Sequence, residues 1–187
     1  AGEVYSGVDA ATRARFPLLR HQWPLVGKLR AEIERRAEAA ITARDCSLRA
    51  AASALATLAL LDSQADAGGL LVRWMDARCA TVVGAVADRG EGHGAEEVAV
   101  TLATAAALTR EALSVAHALF AAADDNLAAR ARAAAAAPLV GVPDASAEEQ
   151  ALKARAASLA ERLSLPDVSV VRSACARFMD ATIHRLE

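Results

Sequence analysis

The chain has 187 residues, a formal net charge of −2, and a composition that is 55% hydrophobic but only 3% aromatic. That length favours one domain or part of a larger protein, and the even mixture of Arg and Glu lacks the basic stripe that nucleic acid requires. Much of the hydrophobic share is Ala, which forms helix readily but buries little surface. The expected architecture is therefore all-α, an elongated bundle or rod of antiparallel amphipathic helices. Ala allows close packing, while Leu, Val and Ile supply most of the burial energy.

Residues 1–15 read as a loop or the tail of an upstream helix. Phe16–Pro17 then opens a first helix, since Pro is well placed in a first turn where its missing N–H costs nothing. Leu19, Trp23, Val26, Ile33, Ala37 and Ala40 form its apolar stripe, with Leu29 filling a gap and Arg30 reaching outward. Pro24 inside the stripe predicts a kink or a later regular start near Trp23. Glu32, Glu34, Arg35, Arg36 and Glu38 form a solvated, ion-paired face.

Residues 55–86 organise the rest. Asp45 is the expected N-cap of a second helix, which ends on Leu55, Leu58, Leu60 and Leu61. Residues 62–69 break the pattern with Asp, Ser and Gly. A third helix over roughly 67–87 carries Leu70, Trp74, Arg78 and Val82 on one face, beside Leu71 and Met75. The Gly-rich piece at 89–94 links it to a fourth helix over about 95–122, marked by Val98, Leu102, Ala105 or Ala106, Leu113, Leu119 and Phe120.

Asp124, Asp125 and Asn126 form a capping cluster. Residues 127–137 are helical by propensity but nearly poly-alanine, which predicts a frayed surface helix. A linker covers 138–144, and Ser146 to Glu149 match a capping box opening a helix that ends near Leu165–Pro166. Asp167 caps a last helix striped by Val168, Val171, Cys175, Phe178, Met179 and Ile183. In outline, 1–15 is a tail, 16–123 a core of about four helices, 124–145 an Ala-rich helix and linker, and 146–187 two further helices. Strands are not expected, and no period of 20–50 residues repeats.

Chemical motifs are absent. His21, His93, His117 and His184 lack the Glu-x-x-His or paired-His spacing of a helical metal site. The triad Gly90, Gly92 and Gly94 has neither the preceding strand nor the Lys-Ser/Thr pair of a phosphate loop. Cys46, Cys79 and Cys175 are odd in number and far apart, which disfavours a disulfide framework or zinc knuckle and suits reduced thiols in a cytosolic setting. No catalytic, cofactor-binding or metal residue is nominated.

Trp23 and Trp74 are the largest apolar surfaces in an aromatic-poor chain. Each serves either as a core anchor or as an exposed anchor for a partner. Arg78, one turn after Trp74, can stack on the ring, pair with an acid or lie along the surface. Trp23, Trp74 and Arg78 are thus the candidate partner-binding residues. The first ten residues lack the charge and apolar core of a secretory signal. The absent initiator Met and the uncapped final helix suggest an excised piece. No run approaches the ~18–20 uninterrupted apolar residues of a membrane span; the longest candidate, 98–123, is broken by Arg110, Glu111 and His117.

One resemblance goes further. FPLLRHQWPLVGKLRAEI, LLDSQADAGGLLVRWMDARCATV and SVAHALF occur here in an order and spacing that resemble the early part of subunit 1 of the conserved oligomeric Golgi complex. The matching parts fall on Phe16 to Gln22, Leu60–Leu61, Asp62 to Ala67, Trp74 to Thr81, His93 to Ala95, and Ala116 to Phe120, with a fainter echo over Val168 to Arg185. The chain departs from the family pattern at Pro24, at Gly68–Gly69 and at Trp74, where Phe is usual.

The resemblance implies a non-enzymatic, cofactor-free scaffold, part of a larger helical-rod tethering subunit, acting in retrograde intra-Golgi transport and Golgi organisation. It implies peripheral association with the cytosolic face of the Golgi membrane, with subunits 2, 3, 4 and 8 as partners, indirect membrane contact and no nucleic acid. A helical ligand-binding regulator and a stand-alone helical interaction module are the competing readings.

Overall fold

The computed structural model describes residues 17–62, 64–87, 95–136, 154 and 157–184. It is an all-α bundle, and the described residues contain no strand. The helices are α1 (Pro17–Thr42), α2 (Leu48–Leu61), α3 (Ala67–Ala87), α4 (Ala95–Phe120), α5 (Leu127–Ala136) and α6 (Val168–His184), with a further helical stretch at 157–162.

The bundle is built around α3, which packs on α4, α6 and α1 and touches α2. Ten of its residues are buried, from Ala67 through Leu70, Leu71, Trp74 and Met75 to Ala85. That wide buried surface is what a helix needs when it has neighbours on several sides. On α1, Glu34 and Glu38 receive Arg73, and the Thr42 carbonyl accepts from Thr81 Oγ1 at 3.0 Å. These pairs run up both helices together, so α1 and α3 are parallel. Gly68 against Val170 and Cys79 against Thr182 give α6 the same direction. A Cβ at Gly68 would lie 3.4 Å from Val170 Cγ1, at the near edge of ordinary van der Waals contact.

The helix ends have local causes. Ser47 caps α2, its Oγ accepting from the Ala50 N–H at 3.2 Å. The expected cap, Asp45, lies two residues too early, because Cys46 first turns into the core at 3% exposure. Asp66 Oδ1 accepts from the Gly69 N–H at 2.7 Å and starts α3. Asn126 Oδ1 accepts from the Ala129 N–H at 3.0 Å and starts α5. Asp167 Oδ1 accepts from the Ser169 N–H at 2.7 Å at the start of α6, as expected. Arg162 donates to the Ala59, Asp62 and Ala65 carbonyls and so ties residues 157–162 to the α2–α3 turn.

Several sequence expectations need correction. α1 opens at Pro17, as expected, and runs through Pro24, so of the two outcomes open to Pro24 the later start near Trp23 is not the one taken. Its expected stripe is buried only in part: Trp23, Val26 and Ala40 are half-buried, Leu29 and Ile33 are exposed, and Ala37 is buried. Arg30 reaches from α1 to the Leu61 carbonyl, the last of α2. Leu60, expected to widen the buried stripe of α2, is exposed. On α4, Val98 and Leu102 are exposed, and burial is concentrated from Ala112 to Phe120.

α5 is no frayed surface helix. Leu127, Ala128 and Ala131 are buried and the helix packs on α2. On α6 the buried line is Ala174, Phe178 and Thr182, rotated from the predicted one, which leaves Val168, Met179 and Ile183 exposed. By length and composition alone, Glu96–Phe120 is a helix long and apolar enough to cross a membrane. The charges that interrupt it are too few to exclude it on that criterion. The first tail, the Gly-rich link with His93, the linker at 138–144 and the Ser146–Glu149 capping box lie outside the described residues.

Candidate functional site

Trp74 and Arg78 are one turn apart on α3, and both are only 1% exposed. Trp74 Nε1 donates to the Ala112 carbonyl of α4 at 3.1 Å, so its polar edge is satisfied inside the core. The Arg78 guanidinium lies 5.5 Å from the Trp74 ring centroid, within cation–π range. Its terminal nitrogens donate to the Ala43 and Arg44 carbonyls, just past the end of α1. A cation at that place complements both the free carbonyls and the negative end of the helix dipole. Arg78 Nε has no hydrogen-bond partner.

The two residues therefore hold α1, α3 and α4 together. This is a correction to their nomination as partner-binding residues, because neither presents a surface to another molecule. Arg78 also neither pairs with an acid nor lies along the surface. Its chemistry is spent on backbone carbonyls. The alternating one-turn spacing of Trp and Arg was readable from sequence, but its target, the end of α1, was not. Trp23, by contrast, is half-buried on the N-terminal half of α1 and remains a candidate for contact.

The thiols of Cys46 and Cys175 are not activated. Burial pushes Cys46 up, against an opposing pull from Arg78, and burial also pushes Cys175 up. A protonated thiol is a poor nucleophile and a poor metal ligand. Among the described residues, no three His, Cys, Asp or Glu side chains gather as a metal site.

An open groove lies between α2 and α5, with Ala52, Ala56 and Ala131 on its floor and Arg49, Arg130, Ser53, Thr57 and Leu60 around it. Arg130 is already engaged by Asp125, and the Thr57 hydroxyl donates to the Ser53 carbonyl at 2.8 Å. The groove therefore offers a small apolar floor beside cations, without convergent groups for proton or group transfer.

Part of the exposed surface is apolar. Leu25, Leu29 and Ile33 on α1, Val98, Val100 and Leu102 on α4, and Val168 and Ile183 on α6 all face outward. Helix faces of this kind are fitted for helix-on-helix contact. The chain matches no protein-family model, no curated protein and no solved structure.

Proposed function

We propose that the protein is a non-enzymatic helical scaffold, a subunit of a vesicle-tethering assembly acting in retrograde intra-Golgi transport on the cytosolic face of the Golgi. The observation that carries the scaffold reading is the division of labour among side chains. Trp74, Arg78, Arg30 and Arg162 all hold backbone carbonyls of neighbouring segments, while large apolar residues on three helices stay exposed. Internal polar groups fix the bundle, and outward apolar faces remain for other helices. The Golgi assignment rests on the sequence resemblance, which implies subunits 2, 3, 4 and 8 as partners.

The test is affinity capture of the full-length protein from its own organism. Recovery of those subunits, reduced by Leu25→Asp with Leu29→Asp, is the expected result. A correctly folded full-length protein that recovers none of them contradicts the Golgi assignment.

The groove between α2 and α5 favours a second reading, a helical regulator that binds an anionic amphiphile there. Titration with a fatty acid would then shift the amide resonances of α2 and α5 first, and Arg49→Glu would remove the response. Unchanged spectra at saturating fatty acid would eliminate that reading.

A further inference from the structure

We propose that two copies of the chain pair through α4, the two helices running antiparallel about Ala103. α4 lies at the edge of the bundle, packed along α3 and touching α2. Its far side is open: Glu96, Ala99, Ala103, Ala106 and Arg110 are all exposed. These residues follow one another by steps of three and four, so they form one line along the helix, with the spacing of a helix-pairing seam. Val100 and Leu102 stand on the two flanks of that line and are 50% and 56% exposed, although both are large and apolar. The alanines let a second backbone come close, and the flanking side chains wall the contact on both sides.

The ends of the line name the occupant. Glu96 stands seven residues before Ala103, and Arg110 stands seven residues after it. Neither side chain has a hydrogen bond or ion pair with another described residue. Glu97, one residue on and off the line, is engaged within the chain and plays no part. Turning a second α4 end for end about Ala103 sets the Glu96 of each copy beside the Arg110 of the other. A parallel pair would set acid against acid and base against base. The line is therefore complementary to itself in one orientation only, as an isologous two-fold contact requires. That orientation brings the two Leu102 side chains together on one flank and sets Val100 against the exposed Ala107 on the other.

The charged ends fix the direction of pairing, and the apolar middle supplies the attraction. A net charge of −2 per chain leaves little long-range repulsion between copies. One pair of helices with small central residues buries less than roughly 1,200 Å², so the dimer is weak and forms as concentration rises. Its ion pairs lie at the rim and are screened by salt.

Sedimentation equilibrium of the full chain over a wide concentration range tests this directly. The average mass should rise from that of one copy to that of two and stop there, and added salt should lower it at a given concentration. Arg110→Glu should leave the chain monomeric by placing acid against acid, and Glu96→Arg should do so by placing base against base. An equal mixture of those two variants should form a mixed dimer, because each then meets its opposite at both ends. Glu96→Arg with Arg110→Glu in one chain should restore self-association. Ala103→Arg, an exposed change at the two-fold axis, should leave the chain folded and monomeric. Circular dichroism confirms that each variant keeps its helix content. A parent chain that stays monomeric at every concentration overturns the proposal, and so does growth beyond two copies. Single reversals that pair as well as the parent, or a mixture of them that stays monomeric, also overturn it. The readout involves no other protein, so failure here leaves the Golgi assignment to its own test.

Discussion

The two halves of α1 share one helix and one apolar rhythm, yet they have different surroundings. The C-terminal half buries Ala37 and Ile41 and is held to α3 through Glu34 and Glu38. The N-terminal half leaves Leu25 and Leu29 in solvent. Periodicity reports which face of a helix is apolar, but not whether this chain supplies the cover. A milder form of the contrast divides α4, whose second half packs with Ala112, Ala116, Leu119 and Phe120 while its first half buries Ala105 and leaves Val98, Val100 and Leu102 exposed. What covers an apolar face depends on where neighbouring helices end, and those ends are set by single capping residues.

The sharpest way to break this contrast is to compare truncations on the two sides of it. Trp74→Ala should destabilise the bundle by about 3–5 kcal/mol in urea unfolding, the range for loss of a buried aromatic. Leu25→Asp should change monomer stability by less than about 0.5 kcal/mol, as for an exposed site. Equal effects would show that the N-terminal half of α1 is buried after all.

Next in size is Arg78→Ala. It removes charge-assisted bonds to the part-buried Ala43 and Arg44 carbonyls, at a cost of about 2–3 kcal/mol. Thermal unfolding reads it, and a loss near zero would contradict the capping role. Ser47→Ala should cost about 1 kcal/mol through loss of the α2 cap. Asp45→Ala should be nearly silent, and the reverse order would return the cap to Asp45. Gly84→Ala should raise stability by about 0.5–1 kcal/mol. Nothing lies within 4 Å of the new Cβ, so a lower melting temperature would expose unrecognised crowding.

The smallest effect is electrostatic. Hydrogen bonds from Arg35, then Arg36, hold the Glu32 carboxyl down to about 2, below its ordinary 4.5. A carboxyl depressed on folding contributes stability that is fully present above its unfolded value. That contribution should disappear as pH falls from about 4.5 toward 2. The cluster is exposed, so the change is slight. Comparing acid unfolding of the parent and Glu32→Gln isolates it; identical pH profiles would show that the ion pairs contribute nothing.

The helices themselves were legible because Ala propensity, Leu spacing and turn residues all agree. The third helix falls on Ala67–Ala87, as expected from its pattern. Less legible were features that depend on distant parts of the chain. The poly-alanine segment gives no strong signal, yet Leu127 and two small faces suffice to dock it on α2. Asp45 and Ser47 are both good caps, and only the burial of Cys46 between them decides which one acts. The Trp74–Arg78 pair stood out by spacing, but its role required knowing that α1 ends beside it.

Hydrogen exchange resolved by segment tests the central division most directly. The strongest protection is expected across 67–85 of α3 and 112–120 of α4, with faster exchange at 17–31 of α1. Protection of 17–31 equal to that of α3 would contradict the division, because that half of α1 would then be covered within the bundle.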